Sequence, residues 1–295
     1  MNRMLMASRT MAARIERAEC ETVLGFATRL QAGGTDVMIR EIAGASAVFA
    51  GPGQPINKLA GLGFSGPVEE GALAAIEREY DERGAELRVE LATLADSSVG
   101  KLLTGRGYEL VGYENVLGLP LDGDVIDGLA LACEADVARG VVVSPAGQDE
   151  TRLWIETVAD GFSAPDQYDG PPATESFERD AIVEMFLTVS GVPGMTLYVA
   201  RRDGSSAGGG ASRISRRLVQ LAGAATLPAH RRRGVQSALL RARLLDAARQ
   251  DCDLAIVTTD PASKSQENVQ RAGFSLLYSR AVLIRRPASP DPQLQ

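Results

Sequence analysis

The chain has 295 residues, of which 45% are hydrophobic and 23% charged, the balance of a globular protein with room for two units of ordinary size. Its formal net charge of -7 argues against a general nucleic-acid or membrane surface, and no run approaches the roughly 18 apolar residues of a membrane span. Arginines interrupt the first stretch, "MNRMLMASRTMAARIERAE", where a secretory signal needs an unbroken apolar core, so a cytoplasmic protein is expected. Cys20, Cys133 and Cys252 are too few and too far apart for a disulfide framework or a paired-cysteine metal site, and reduced thiols with no bound metal are expected.

In chain order, "MAARIERAECETVLGFATRLQAGG" reads as a helix, and "DVMIREI" with "SAVFA" as paired strands. "INKLAGLGFSG" then leads through a turn into the amphipathic helix "VEEGALAAIEREYDERG", the strand "LRVELATL" and the piece "GKLLTGRGYELVGYENVLGL". Residues 119 to 140 run from an acidic, turn-rich piece into an apolar helix, which suits a crossing between halves, and the boundary is placed after residue 125.

Past the crossing the same order returns. "DETRLWIETVADGFS" is helical, "MTLYVARRDG" and "GGGASRIS" pair as strands, and "LVQLAGAATLP" precedes the helix "GVQSALLRARLLDAARQ". The strand "DLAIVTTD" and the piece "SQENVQRAGFSLLYSRAVLI" follow, with Gly273-Phe274 standing where the first half has Gly107-Tyr108. The expectation is an α/β protein of the α+β kind: a duplicated fold with a first unit over 1–125, a second over 126–286 and a loose proline-rich tail over 287–295.

One difference between the halves stands out. Between strand and helix the second half carries "PAHRRRGVQS", whereas the first has the shorter "SGPVEEG", with Glu69 and Glu70 in place of arginines. A turn rich in backbone donors at a helix N-terminus is an anion site, because the first helical N–H groups lack partners and the dipole favours negative charge. Gly234 allows close backbone approach, and neighbouring arginines add charge-assisted contacts, which together suit a pyrophosphate.

This stretch resembles the acyl-CoA loop of the GCN5-related N-acetyltransferases. Arg231, Gly234 and Gln236 fall on the family's motif positions, Pro228 and the strand "LAGAATL" precede them, and Asn268 and Gly273-Phe274 match the later elements, so that the likeness runs from Thr196 to Arg286. Gln236 departs from the usual small residue. The resemblance implies two units of that fold, each a mixed, mostly antiparallel sheet flanked by helices, the first degenerate and without the loop. It implies acetyl-CoA as co-substrate and direct transfer of the acetyl group to a primary amine of a small molecule or peptide.

The resemblance assigns cofactor binding to Arg231, Arg232, Arg233, Gly234, Val235, Gln236, Ser237 and Asn268, and an oxyanion donor to the backbone of Ala225, Thr226 or Leu227. The helix before Gly273 lacks the tyrosine that many members use as an acid, so Tyr278 becomes the catalytic expectation. Gln220 stands where some members carry a base, and His230, the one histidine, reads as a loop residue or phosphate contact. The acceptor side is expected from Trp154, Phe162, Tyr168 and Phe177 with Asp160, Asp166, Asp169, Glu175 and Glu178, which suits a cationic or aromatic amine. Two other readings are open: a non-catalytic acyl-CoA sensor, and nucleic-acid binding through "RRRG".

Overall fold

The computed structural model describes residues 5–164 and 178–287. Tyr168, Phe177, Asp166, Asp169 and Glu175, and nearly all of the tail, lie outside the described residues. The chain divides into two compact units, and neither is contiguous. One comprises residues 7–114 with 278–287, the other residues 5–6 with 115–277.

The first unit begins with α1 (Arg9–Ala32), capped by the Ser8 hydroxyl, which accepts from the Met11 N–H at 3.1 Å. Next come β1 (Met38–Ile42), β2 (Ala45–Phe49), β3 (Lys58–Ala60), α2 (Glu70–Glu82), β4 (Leu87–Ala92) and α3 (Ser97–Gly105). The sheet order is β1-β2-β3-β4-β11, where β11 is Ser275–Arg285, and only the β3–β4 pairing is parallel. Leu73, Ile76 and Tyr80, at helical spacing on α2, pack with Leu59, Leu87 and Val89 into an apolar core on one face.

On the α1 side Cys20, Val23 and Ala27 pack with Val48, Ala50, Ile56 and Ala60 into a second apolar cluster, and an ionic cluster is buried as well. Arg280 places Nε 2.8 Å from Glu16, Lys58 places Nζ 2.8 Å from Glu19 and 2.9 Å from Glu90, and Arg88 lies 3.4 Å from Glu114. The helical spacing that buries Ala12 and Ile15 also buries Glu16, and the carboxylate meets its counter-ions there.

The second unit takes residues 115–120 of β5 (Glu109–Pro120), then α4 (Gly123–Ala138), β6 (Val141–Pro145), α5 (Thr151–Phe162), α6 (Arg179–Val189), β7 (Met195–Arg202), β8 (Ser205–Ser215), β9 (Leu218–Thr226), α7 (Val235–Arg249), β10 (Leu254–Thr259) and α8 (Lys264–Arg271). Its sheet order is β5-β10-β9-β8-β7-β6, with β9–β10 the parallel pair. The mixed, mostly antiparallel sheets flanked by helices agree with the expected fold class. β6 was not foreseen, because "VVVSP" has no alternation to mark it.

The contiguous division at residue 125 is corrected. Residues 115–120, the end of the first half's last strand, pair with β10, while residues 280–285, the end of the second half's last strand, pair with β4. Each half thus gives its closing strand to the other unit. Both strands are apolar and end a Gly-aromatic piece, so either satisfies either sheet edge.

Glycines let two helices close on β8. A β-carbon on Gly209 would lie 2.6 Å from Val158 and 2.9 Å from Trp154 Nε1, on the α5 side, and one on Gly210 would lie 3.1 Å from the Arg243 guanidinium of α7. Trp154 is fully buried and donates its indole N–H to the Gly210 carbonyl at 3.0 Å. It is a core residue, and the acceptor role expected for it is withdrawn.

Candidate functional site

The second unit's sheet opens at its centre. β9 and β10 pair from Leu218 opposite Leu254 to Leu221 opposite Val257, and there the pairing stops although β9 continues to Thr226. On its other side β9 carries a bulge: Gly209 and Ala211 of β8 face Ala225 and Ala222, so three steps of β9 oppose two of β8. Gly223, within the bulge, has φ +54°, and a β-carbon there would press on the Phe186 ring at 3.2 Å.

Arg243 supports this bend from within α7. Its Nη1 donates to the Ala211 carbonyl at 2.9 Å and the Ala222 carbonyl at 3.3 Å, and its Nε to the Leu239 carbonyl at 3.0 Å. Burial pushes the guanidinium down to about 10, still charged at neutral pH. The sequence carried the signal, since Arg243 falls among Leu239, Leu240, Leu244 and Ala247 on the buried helix face.

Backbone parity chooses among the three expected oxyanion donors. Leu227 gives its N–H to the Ala207 carbonyl at 3.0 Å, and Gly208 and Gly209 lie opposite Thr226 and Ala225. Alternation along an antiparallel strand therefore turns the N–H groups of Ala225 and Leu227 toward β8, and that of Thr226 toward the opposite edge, where β10 has parted. Leu227 and Ala225 are corrected to sheet donors.

After Leu227 a single 3-10 turn, Pro228–His230, leads to the arginines. Arg232 takes φ +59°, a left-handed conformation uncommon outside glycine, and Gly234 takes φ +83° as the N-cap of α7. The first i→i−4 bond of α7 runs from the Ala238 N–H to the Gly234 carbonyl at 2.9 Å, and Gly234 has no side chain to cap the N–H groups of Val235, Gln236 and Ser237 before it. Arg232, Arg233, Gly234 and Ser237 are exposed, and Arg202 of β7 donates to the Arg233 carbonyl at 2.8 Å. Exposed cations thus stand beside the first N–H groups of α7, an arrangement that could hold an anion.

Arg231 does not join them. Its Nε donates to the Thr226 carbonyl at 3.3 Å, and its Nη2 donates to the carbonyls of Gly161, at 3.3 Å, and Ala164. The expected phosphate contact from this side chain is replaced by a tie to the end of α5. His230 donates its N–H to the Leu227 carbonyl at 2.9 Å, as a turn residue does. Asn268 stands half-buried on α8, the helix that Ser263 caps, and Gln220 is buried within β9.

Tyr278 belongs to the first unit. It is buried and donates its hydroxyl to the Glu16 carboxylate at 2.7 Å, and burial together with the Glu16 charge raises its pKa far above the usual phenol range. The geometry corrects the catalytic expectation to a structural one. On the acceptor side, Phe162 is half-exposed beside Phe186, while Glu156 and Asp160 are paired with Arg179. Glu178 stands at the N-cap of α6.

The corresponding opening of the first unit differs. β3 and β4 pair only from Lys58 opposite Arg88 to Leu59 opposite Val89, and the following turn leads to α2 through Glu69, an acidic N-cap that repels a phosphate. Among the described residues no cluster of histidine, cysteine and carboxylate side chains could hold a metal, and no helix is long and apolar enough to cross a membrane.

No protein-family model matches the chain, and no curated protein matches it in sequence. Solved structures do match in fold. A GCN5-related N-acetyltransferase from Kribbella flavida is similar with a TM-score of 0.63 at 16% identity, covering 94% of this chain and 96% of that one. One from Sphaerobacter thermophilus gives 0.53 at 14% identity, covering 84% and 82%. A tandem protein of this fold from the clavulanic acid biosynthesis pathway gives 0.54 at 12% identity, covering 83% and 76%.

Proposed function

We propose, from a chain that carries the fold of the GCN5-related N-acetyltransferases, that the second unit binds acetyl-CoA between β9 and β10 and transfers the acetyl group to a primary amine of a small molecule or peptide in the cytoplasm. The observation that carries this reading is the parting of β9 from β10 beside an uncapped helix N-terminus with Arg232 and Arg233 exposed. The N–H groups of Val235, Gln236 and Ser237 hold the pyrophosphate, Gly234 leaves room for it, and the two arginines supply the opposing charge. Asn268 is assigned a further contact to the cofactor.

In the transfer, the amine nitrogen forms a bond to the thioester carbon, and negative charge gathers on the carbonyl oxygen. The Thr226 N–H, fixed in place before the reaction, stabilises that charge. The C–S bond then breaks, the nitrogen loses a proton to solvent, and the departing thiolate takes one up.

A sensor that binds acyl-CoA without transfer is the second reading, favoured by the engagement of the Tyr278 hydroxyl with Glu16. Incubating the full chain with acetyl-CoA and a broad panel of primary amines, and measuring free thiol release, separates the two. Amine-dependent release supports the enzyme. Tight CoA binding with no release for any amine supports the sensor.

A further inference from the structure

Three consecutive arginines are equal in sequence but not in place. Arg232 and Arg233 point to solvent, whereas Arg231 is partly buried and spans from the end of β9 to the end of α5. Its acceptors include the main-chain carbonyls of Thr226, Gly161 and Ala164, and its own N–H is turned to the Pro228 carbonyl at 3.3 Å.

The Thr226–Leu227 peptide is consequently held at both ends. Its carbonyl accepts from Arg231 and its N–H donates to Ala207. The preceding peptide carries the Thr226 N–H, and Gly161 of α5 stands against it so closely that a β-carbon would lie 2.6 Å from the Ala225 β-carbon and 3.5 Å from the Thr226 nitrogen. The guanidinium fixes the carbonyl of Gly161 in the last turn of α5, the favourable end of a helix for a cation, that of Ala164 just beyond it, and the strand end at once.

From this we infer that Arg231 is a positioning residue for transfer: it orients the Thr226 N–H toward the acyl oxygen by locking the end of β9 to α5, and it does not bind the cofactor's phosphates. The inference rests on the acetyl-CoA reading. It divides the arginine run into two tasks, affinity for Arg232 and Arg233, and acyl-carbonyl polarisation for Arg231.

The test uses the full chain with acetyl-CoA labelled at the acetyl carbonyl, reading Kd by calorimetry at several salt concentrations and the carbonyl stretch of the bound thioester by infrared difference spectroscopy. In the unaltered protein the stretch moves to lower wavenumber than in solution, as a hydrogen bond to the oxygen requires. Arg231→Met is expected to keep Kd within about threefold with its salt dependence intact, and to lose most of the carbonyl shift. Arg232→Met and Arg233→Met are expected each to raise Kd about tenfold, to weaken its salt dependence, and to keep the shift.

Arg231→Lys retains the charge but cannot reach three carbonyls, and it is expected to follow Arg231→Met, which covers the case in which the methionine variant folds poorly. A tenfold rise in Kd with the carbonyl shift preserved in either Arg231 variant would overturn the inference while leaving the acetyl-CoA reading intact. Tight binding by the unaltered protein with no carbonyl shift would do the same. Absence of binding by the unaltered protein would instead remove the acetyl-CoA reading itself.

Discussion

Tyr278 and Glu16 stand 262 positions apart in the chain, and the tyrosine hydroxyl meets the glutamate carboxylate at 2.7 Å in the interior of the first unit. Arg280 approaches the same carboxylate oxygen at 2.8 Å. The pair ties the last strand of the chain to its first helix, and it explains why the tyrosine nearest to the expected acid position serves stability.

Tyr278→Phe is accordingly expected to lower stability by about 1–3 kcal/mol, because Glu16 loses one of its buried donors. Urea denaturation of the variant measures this. A large loss of acetyl transfer at unchanged stability would return Tyr278 to the catalytic group.

The buried ionic cluster of the first unit should make its stability depend on pH. Burial and the neighbouring Glu90 charge push Glu114 up to about 7 from an ordinary value of 4.5, against the opposing pull of Arg280, Lys58 and Arg88. A carboxyl whose folded value is raised binds its proton more tightly when folded, so its contribution is fully present below about pH 4.5 and is lost as pH rises through about 7. In thermal melts, Glu114→Gln should therefore gain on the unaltered protein as pH rises from about 5 to 8. A difference in melting temperature that stays flat with pH would count against a protonated Glu114.

Arg243→Met removes the donors that satisfy the Ala211 and Ala222 carbonyls at the bulge of β9. Leaving the buried Ala211 carbonyl without this donor should cost about 1–3 kcal/mol of unfolding free energy, and the part-buried Ala222 carbonyl less. Affinity for CoA is expected to fall with it, since the bulge bends the strand that borders the proposed cofactor site. An unperturbed denaturation midpoint would show that other groups satisfy those carbonyls.

Gly161→Ala places a methyl group 2.6 Å from the Ala225 β-carbon, in a space already filled. The overpacking should cost about 1–3 kcal/mol and displace the end of β9. Steady-state kinetics should show a fall in kcat larger than any rise in KM for acetyl-CoA, since the proposed phosphate site lies on α7. The reverse pattern would place Gly161 on the cofactor side.

Much of the fold was legible because periodicity is local. The spacing of Leu73, Ile76 and Tyr80 marks a helix face without knowledge of its partner, and the proposed anion site stood out because "HRRRG" breaks an acidic composition where a helix begins. Long-range choices were not legible. The two closing strands carry similar apolar patterns, so no rule of pattern tells which sheet each joins. Nothing in "RRR" distinguishes the inward Arg231 from its neighbours, because the turn geometry that rotates it away depends on Arg232 entering the left-handed region. Glu16 shows the same limit: its place on the buried face was readable from spacing, but its partners come from the far end of the chain.

The central claim is that the α7 N-terminus with Arg232 and Arg233 holds the pyrophosphate of acetyl-CoA. The most direct measurement is the unfolding free energy of the full chain with and without acetyl-CoA, beside the same comparison for the double variant Arg232→Met, Arg233→Met. At a hundredfold excess over Kd, binding should add about 2.7 kcal/mol to the unaltered protein, and at the same concentration much less to the variant. No stabilisation of the unaltered protein, or equal stabilisation of both, would contradict the claim.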